Sequence, residues 1–361
     1  VTAFVVAARR SAVMPRGGGF ATLSVQALAA PVIDACLRDA GIAAGQVDEL
    51  ILSNALGAGG NPARLVALAA GLEERVAGLS LDRQCAGGLD ALWLARALIA
   101  AGQAEVVLAG GVESYSRRPL RLRTDSNGGP PAAYDQPPFT PWPDRDPDMA
   151  EAADALARRL SISRARQDDW AVQSHARARA ARDRMAVEIV PICGATADGF
   201  TRTLTARVAA RARVLTGTIT AANAAVAADG AAFCLVVSER IARDLPCACR
   251  IAGGATVGAA PEEPGLAPVA AIARAMVGRH PDLAAIEIME AYAVQTIACV
   301  EAAGLDPARV NMGGGALARG HPIGASGAVL AVRLFHDLQR GPGLAAIAAA
   351  GGVGSALVLE R

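Results

Sequence analysis

The 361-residue sequence contains no lysine: its 35 basic residues are all arginine, set against 34 acidic residues. A Walker-type phosphate loop needs a lysine on the terminal phosphates, so that class is excluded. Schiff-base chemistry is excluded as well, and with it pyridoxal-phosphate enzymes and amine-based aldolases. A net charge near zero gives no reason to expect nucleic acid as a partner. There is no disulfide framework either, because seven cysteines are scattered over a long chain. Cys247 and Cys249 form a C-x-C without companion ligands, so no metal is expected. The longest uncharged apolar run, 344–359, is full of alanine and glycine and reads as strand, turn, strand rather than a membrane span. At the start the arginines follow the apolar run, the reverse of a signal peptide. These absences predict a cytoplasmic, reduced protein with no membrane contact.

What is present is a globular composition, 53% hydrophobic and 19% charged. The length predicts two to three domains, or two packed halves. Short apolar runs alternate with helical patterns, the mark of α/β layering. Strands are expected over 5–8, 49–53, 105–109, 232–237, 285–288, 344–349 and 355–359, and near 250. Helices are expected over 24–40, 86–101, 150–185, 267–279, 291–303 and 325–339. Between 117 and 148 proline, glycine and aspartate replace any periodicity, which predicts a long functional excursion. AGGVES at 109–114 is echoed by AGGVGS at 350–355, and each is expected to follow an apolar strand. That echo suggests two halves with one topology.

Two residues stand out for chemistry. Cys85, in RQCAGGLDAL, opens a predicted helix, where the positive end of the macrodipole favours thiolate. A lone cysteine is equally at home as a small buried apolar residue. His321, in NMGGGALARGHPIGASGA, is held among glycines and before Pro322, an expensive backbone for an incidental histidine. His175, His280 and His336 read as ordinary residues on helical or loop surfaces. No G-x-G-x-x-G follows a strand with a suitable acidic residue downstream, so dinucleotide binding has little support.

These blocks resemble the thiolase family, the acyl-CoA C-acyltransferases, over nearly the whole length. Further matching runs are GNPAR at 60–64, AGGVESYS at 109–116, EIVP at 188–191, TAANAAVAADGAA at 220–232, MEAYA at 289–293 and DMAEAADALARRLSISRARQDDWAVQSHARA at 148–178. The resemblance implies an α/β thiolase fold: two βαβαβαββ halves in a five-layered α/β/α/β/α arrangement, with an inserted loop domain that binds coenzyme A. The halves would span 1–117 plus about 226–245, and about 246–361, with the insertion over about 118–225. It further implies Cys85 as the acylated nucleophile and His321 as its base and a ligand of the thioester oxygen. Backbone N–H groups at Cys85 and near Ala350 would form a second oxyanion hole. Arg202, with Arg207 and Arg211 as rivals, would meet the nucleotide of coenzyme A, while Met149, Tyr292 and the turn Ala222–Ala225 would line the pantetheine tunnel. Coenzyme A would be a co-substrate, with no covalently bound cofactor. Homodimers, or dimers of dimers, are the family's habit, and some members work beside a small partner protein.

Two departures bear on the reaction. The family's second cysteine, which moves the α-proton, is replaced by Ala348, and the asparagine that holds a catalytic water is replaced by Met289. Ala225 and Asp148 replace a usual serine and histidine. Cys299 is expected to lie too far away to substitute. The expectation is therefore acyl transfer onto Cys85 with weak Claisen or thiolysis chemistry. Alternatives are a divergent acyltransferase or thioesterase, and a non-catalytic coenzyme A-binding partner subunit.

Overall fold

The computed structural model describes residues 2–279 and 282–361. The first half supplies strands β1 (Ala3–Ser11), β2 (Glu49–Ser53), β3 (Leu79–Leu81), β4 (Val106–Ser114) and β5 (Ala228–Ser238). The second supplies β6 (Cys249–Gly258), β7 (Ala285–Ile288), β8 (Pro342–Ala349) and β9 (Val353–Glu360). Along one hydrogen-bonded path they run β7-β8-β9-β6-β1-β5-β4-β2-β3. The order is symmetric about the β6–β1 junction. In each half the first strand pairs antiparallel with the last, the last pairs antiparallel with its neighbour, and that neighbour pairs parallel with the next. The parallel β2–β3 pair is answered in the second half by a lone bridge from Ile286 to Val310. The junction itself is only two residue pairs, Phe4 with Arg250 and Val5 with Cys249.

Helices fill three layers around these strands. Helix α1 (Val25–Ala40) is capped by Ser24, whose hydroxyl accepts from Ala27 N, and ended by Gly41 in the left-handed region. With α2 (Pro62–Ala69) it covers the outer face of the first half, burying Leu28, Ile33, Leu50, Leu108 and Phe233. Helix α6 (Ala267–Ala275) covers the outer face of the second half against Ile286, Leu344 and Val358, with α7 (Ala293–Ala302) beside it. Between the halves run α3 (Gly87–Ala100) and α8 (Ile323–Asp337), which touch strands of both. This middle layer buries Leu89, Leu92, Val107, Leu330, Leu334, Ile347 and Leu357 in one cluster. The α/β/α/β/α layering expected from the resemblance is thus present. Strands β4 and β5 are buried along their entire lengths, which explains their unbroken runs of apolar and small residues.

Several sequence expectations shift in detail. The strand expected over 105–109 continues through Gly110 and Gly111 to Ser114. The first hexapeptide of the echo therefore lies inside β4, whereas the second spans the turn from β8 into β9, where Gly351 and Gly352 have φ of 78° and 76°. The two halves share a topology, but the hexapeptides do not occupy equivalent places in it. The helix expected over 150–185 is three: α4 (Met149–Arg159), α5 (Arg164–Ala180) and a turn at Arg182–Met185. Ser161, at φ 53°, breaks the first, and the Ser163 hydroxyl caps the second.

The segment after α5 is tied in by buried charge. Arg10 on β1 donates to Glu188 at 2.6 Å and to Asp198 at 2.7 Å; Arg333 on α8 donates to the other oxygen of Glu188 at 2.5 Å and to Asp337 at 2.6 Å. Arg10, Glu188 and Arg333 are fully buried.

Helices α3 and α8 meet backbone to backbone. A Cβ added at Gly88 would lie 2.6 Å from Ala328 N and 3.0 Å from the Gly324 carbonyl, and one at Gly327 would strike Leu89 N. Backbone cannot yield as a flexible side chain does, so Gly88→Ala should force the helices apart and cost about 1–3 kcal/mol. The denaturant midpoint checks this against Ala101→Gly, an exposed control at the end of α3; equal stability of Gly88→Ala and wild type would contradict it.

Candidate active site

Cys85 lies on the turn between β3 and α3. The residue before it, Gln84, is held at φ 50°, where a non-glycine residue is strained. Asp82 holds that turn by accepting from Gln84 N at 2.9 Å. Across the α3–α8 contact, His321 precedes α8, with its N–H donating to Val226 O at 2.8 Å. The two side chains meet: Cys85 Sγ is 3.2 Å from His321 Nε2.

The protons on this pair follow from its neighbours. His321 Nδ1 is 2.6 Å from Ser326 Oγ, and Ser326 Oγ donates to the Pro322 carbonyl at 3.2 Å. A hydroxyl has one proton, so Nδ1 is the donor to Ser326 and the Nε2 lone pair faces the thiol. Burial pushes the Cys85 thiol up to about 12, helped by the nearby carboxylates Glu113 and Asp82. Burial pushes His321 down to about 4. Desolvation thus outweighs the helix dipole expected to favour thiolate, and the resting pair is neutral thiol and neutral imidazole.

Two buried carboxylates shape the loops around the pair. Glu113, on β4, accepts from Asn54 Nδ2 (2.8 Å), Ala55 N (3.1 Å), Leu56 N (3.2 Å) and Gly324 N (2.9 Å). It fastens one wall of the pocket to the start of α8. Burial raises its carboxyl to about 7, against these backbone donors. Glu290 accepts from Trp170 Nε1, Ser174 Oγ, Asn311 Nδ2 and Leu317 N, and so fixes the glycine-rich loop that leads to His321. Nothing in the sequence alone assigns a role to Ser326, Glu113 or Glu290. The available signal was an acidic residue inside a glycine-rich or apolar run, which solvation alone does not favour.

The pair opens into a cavity of about 580 Å³ lined by Met149, Ala225, Tyr292, Ala348 and Ala350 among others. Its size suits a small-molecule site. Met149 begins α4, whose cap is Asp148, accepting from Ala150 N and Glu151 N. Ala225 N donates to Ala291 O, which places the 222–225 turn beside Tyr292. Ala222 is 4% exposed and packs with Leu204 and Leu317 instead of lining the cavity. Arg202 lines a different cavity, with its backbone N–H on His175 Nδ1; Arg207 and Arg211 are exposed and line neither. Met289 is buried in the middle-layer core, and Cys299 is fully buried outside the cavity, its thiol on Gly265 O at 3.0 Å. His175 is fully buried, not on a surface as expected, because α5 packs that face inward. His336 is half-buried on Ala8 O, and His280 lies outside the described residues. Among the described residues, no group of three or more His, Cys, Asp or Glu side chains is placed to hold a metal ion, and no helix is long and apolar enough to cross a membrane.

This layered fold, with a thiol and an imidazole brought together between its halves, is matched by known proteins. The family model for the thiolase N-terminal domain matches residues 3–240, and that for the thiolase C-terminal domain matches 245–361. The chain belongs to the thiolase family and is a thiolase-type acyltransferase. It is 40% identical to "Putative acetyl-CoA C-acetyltransferase YhfS" of Bacillus subtilis (strain 168), covering 100% of this chain and 99% of the relative. It is 33% identical to "Putative acetyl-CoA C-acetyltransferase VraB" of Staphylococcus epidermidis, covering 99% and 98%. The crystal structure of the Bacillus anthracis acetyl-CoA acetyltransferase superposes with a TM-score of 0.93 at 32% identity, covering 99% of this chain and 98% of that one.

A neutral resting pair has a consequence for reactivity. Alkylation of Cys85 by iodoacetamide in the free protein, followed by peptide mapping, should rise about tenfold per pH unit from about pH 7 to 10. A plateau reached near neutral pH would mark a resting thiolate and contradict the neutral pair.

Proposed function

We propose that the protein accepts an acyl group from acyl-CoA on Cys85, with acetyl-CoA as the donor indicated by the names of its relatives, and that its carbon–carbon chemistry is weak. The observation that carries this is the 3.2 Å approach of Cys85 Sγ to Nε2 of His321 in the lining of the cavity. In the first half-reaction Sγ attacks the thioester carbon while its proton passes to Nε2. The carbon–sulfur bond to coenzyme A then breaks, and the proton on Nε2 returns to the departing thiolate. Ser326, by accepting from Nδ1, keeps the ring in the tautomer this needs and stabilises the transient imidazolium. Backbone N–H groups of Cys85 and Ala350 are assigned to the thioester oxygen. Met149, Ala225 and Tyr292 are assigned to the pantetheine arm.

The second half-reaction is where the chain departs from a full thiolase. Ala348 lines the cavity but carries no proton, Cys299 points elsewhere, and the amide of Asn311 is fully engaged by Ile288 and Glu290. Nothing placed this way supports rapid α-proton transfer. Acyl transfer to another acceptor, or hydrolysis, is the reading that fits the groups retained. Retention of both members of the pair speaks against a non-catalytic partner subunit. A homodimer is supported by the exposed Leu65 and Leu68 of α2 beside Leu79 on β3, the end strand of the sheet.

Incubation with acetyl-CoA should add one acetyl group to Cys85, read by intact mass and peptide mapping. His321→Ala should slow this by about 10²–10⁴-fold, the usual worth of a general base. Coenzyme A binding without any adduct would instead favour the non-catalytic reading. Thiolysis of acetoacetyl-CoA should be slow in the wild type, and Ala348→Cys should raise it at least about tenfold while leaving acetylation unchanged. Wild-type thiolysis keeping pace with acetylation would overturn the proposed weakness.

A further inference from the structure

We propose that the cavity between the end of α5 and residues 197–203 is a second ligand site, for a phosphate-type oxyanion carrying at least two negative charges. This cavity, about 820 Å³, shares no lining residue with the one that holds Cys85. Arg179, Arg182 and Arg202 line it, with Asp198, Thr201 and Thr203.

The charges in this cavity do not balance. Among the described residues none of the three guanidinium groups makes an ion pair, although the neighbouring Arg10, Arg184 and Arg333 are all paired. Arg202 is the telling one. Its Nη1 is buried with no hydrogen-bond partner, its guanidinium lies 4.1 Å from the Phe200 ring centroid, and burial lowers its pKa with no carboxylate to oppose it. Arg202 is half-buried and Arg179 and Arg182 are exposed, so the cavity presents three cations without a protein counter-charge, which an anionic ligand would neutralise. Asp198, the one acidic residue lining the cavity, cannot serve. Its Oδ1 already accepts from Arg10 and from Val13 N, and its Oδ2 accepts from Arg10.

The chemistry of the ligand follows from the donors. Guanidinium groups present planar pairs of N–H donors that match the oxygens of a phosphate better than a point charge does. Three of them around one space favour a multiply charged ion over a single carboxylate. The Thr203 hydroxyl adds a neutral donor, while that of Thr201 is spent on Ala318 O at 3.1 Å. The volume exceeds what a lone phosphate fills, leaving room for a diphosphate, free or carried by a nucleotide. The Thr201–Ala318 bond also ties the lining of this cavity to the segment that leads to His321.

Calorimetric titration at low ionic strength with phosphate, pyrophosphate and ADP tests this on the wild type and on Arg179→Gln/Arg182→Gln. Pyrophosphate should bind with one equivalent, and the double variant should weaken it about tenfold or more. Only binding lost in the double variant counts, because ADP is also part of coenzyme A. Within that fraction, ADP tighter than pyrophosphate assigns the site to a nucleotide, and equal affinities assign it to the bare anion. No pyrophosphate binding at millimolar concentration, or equal binding by both proteins, would overturn the proposal. Acetylation of Cys85 should be the same in the two proteins without added anion. Its failure in both would count against the proposed acyl transfer and leave the titration result standing.

Discussion

The site depends on one close contact, the passage of α3 against α8 with backbone touching backbone at Gly88 and Gly327. Each helix begins within a few residues of one reactive group: α3 follows Cys85 and α8 follows His321. Bringing the helices together at their first turns therefore brings the thiol to the imidazole. Two side chains larger than hydrogen at those positions would hold the helix axes apart. The two-half sheet, the middle layer and the apolar cluster around Leu89 and Leu330 keep these helices where they are.

Around that contact the chain places carboxylates where water does not reach. Glu113 and Glu290 each gather four donors, half of the eight being backbone N–H groups at loops and first helical turns and half side chains. Irregular loops cannot satisfy their own N–H groups, so a buried acid acts as the common acceptor. The cost of burying the charge is offset by fixing loops that no regular hydrogen-bond ladder could hold. His321 thereby gains a defined position without belonging to a helix or a strand.

The parts of this arrangement that are local in sequence were legible from it. Cys85 among small residues and His321 among glycines announce themselves within a dozen positions, and the layered architecture follows from alternating runs and the family resemblance. Features that depend on distant partners were not legible. Ser326 gains meaning only when the first turn of α8 presents it to His321 Nδ1. Arg202 lies in a stretch without regular periodicity, so its cavity depends on how the segment after α5 packs. The break at Ser161 in the helix expected over 150–185 was not legible, because serine as a residue type does not announce a positive φ. The AGGVES echo misled for a related reason: glycine can end a strand, or it can continue one where another backbone approaches, as Gly111 does beside Gly324.

The charged cluster of Arg10, Glu188 and Arg333 bears on the order of assembly. Glu188 lies 178 residues from Arg10 and 145 from Arg333, and it needs both guanidinium groups to balance what is buried. During synthesis the first strand and the segment after α5 emerge long before α8. Until α8 docks, the partially assembled chain holds an incompletely neutralised carboxylate and a middle layer missing one helix. Completion of the cluster and completion of the Cys85–His321 pair are thus linked, because the helix that brings Arg333 also follows His321. A nascent first half holds Cys85 without His321, so the acyl transfer proposed for the pair waits on the docking of α8.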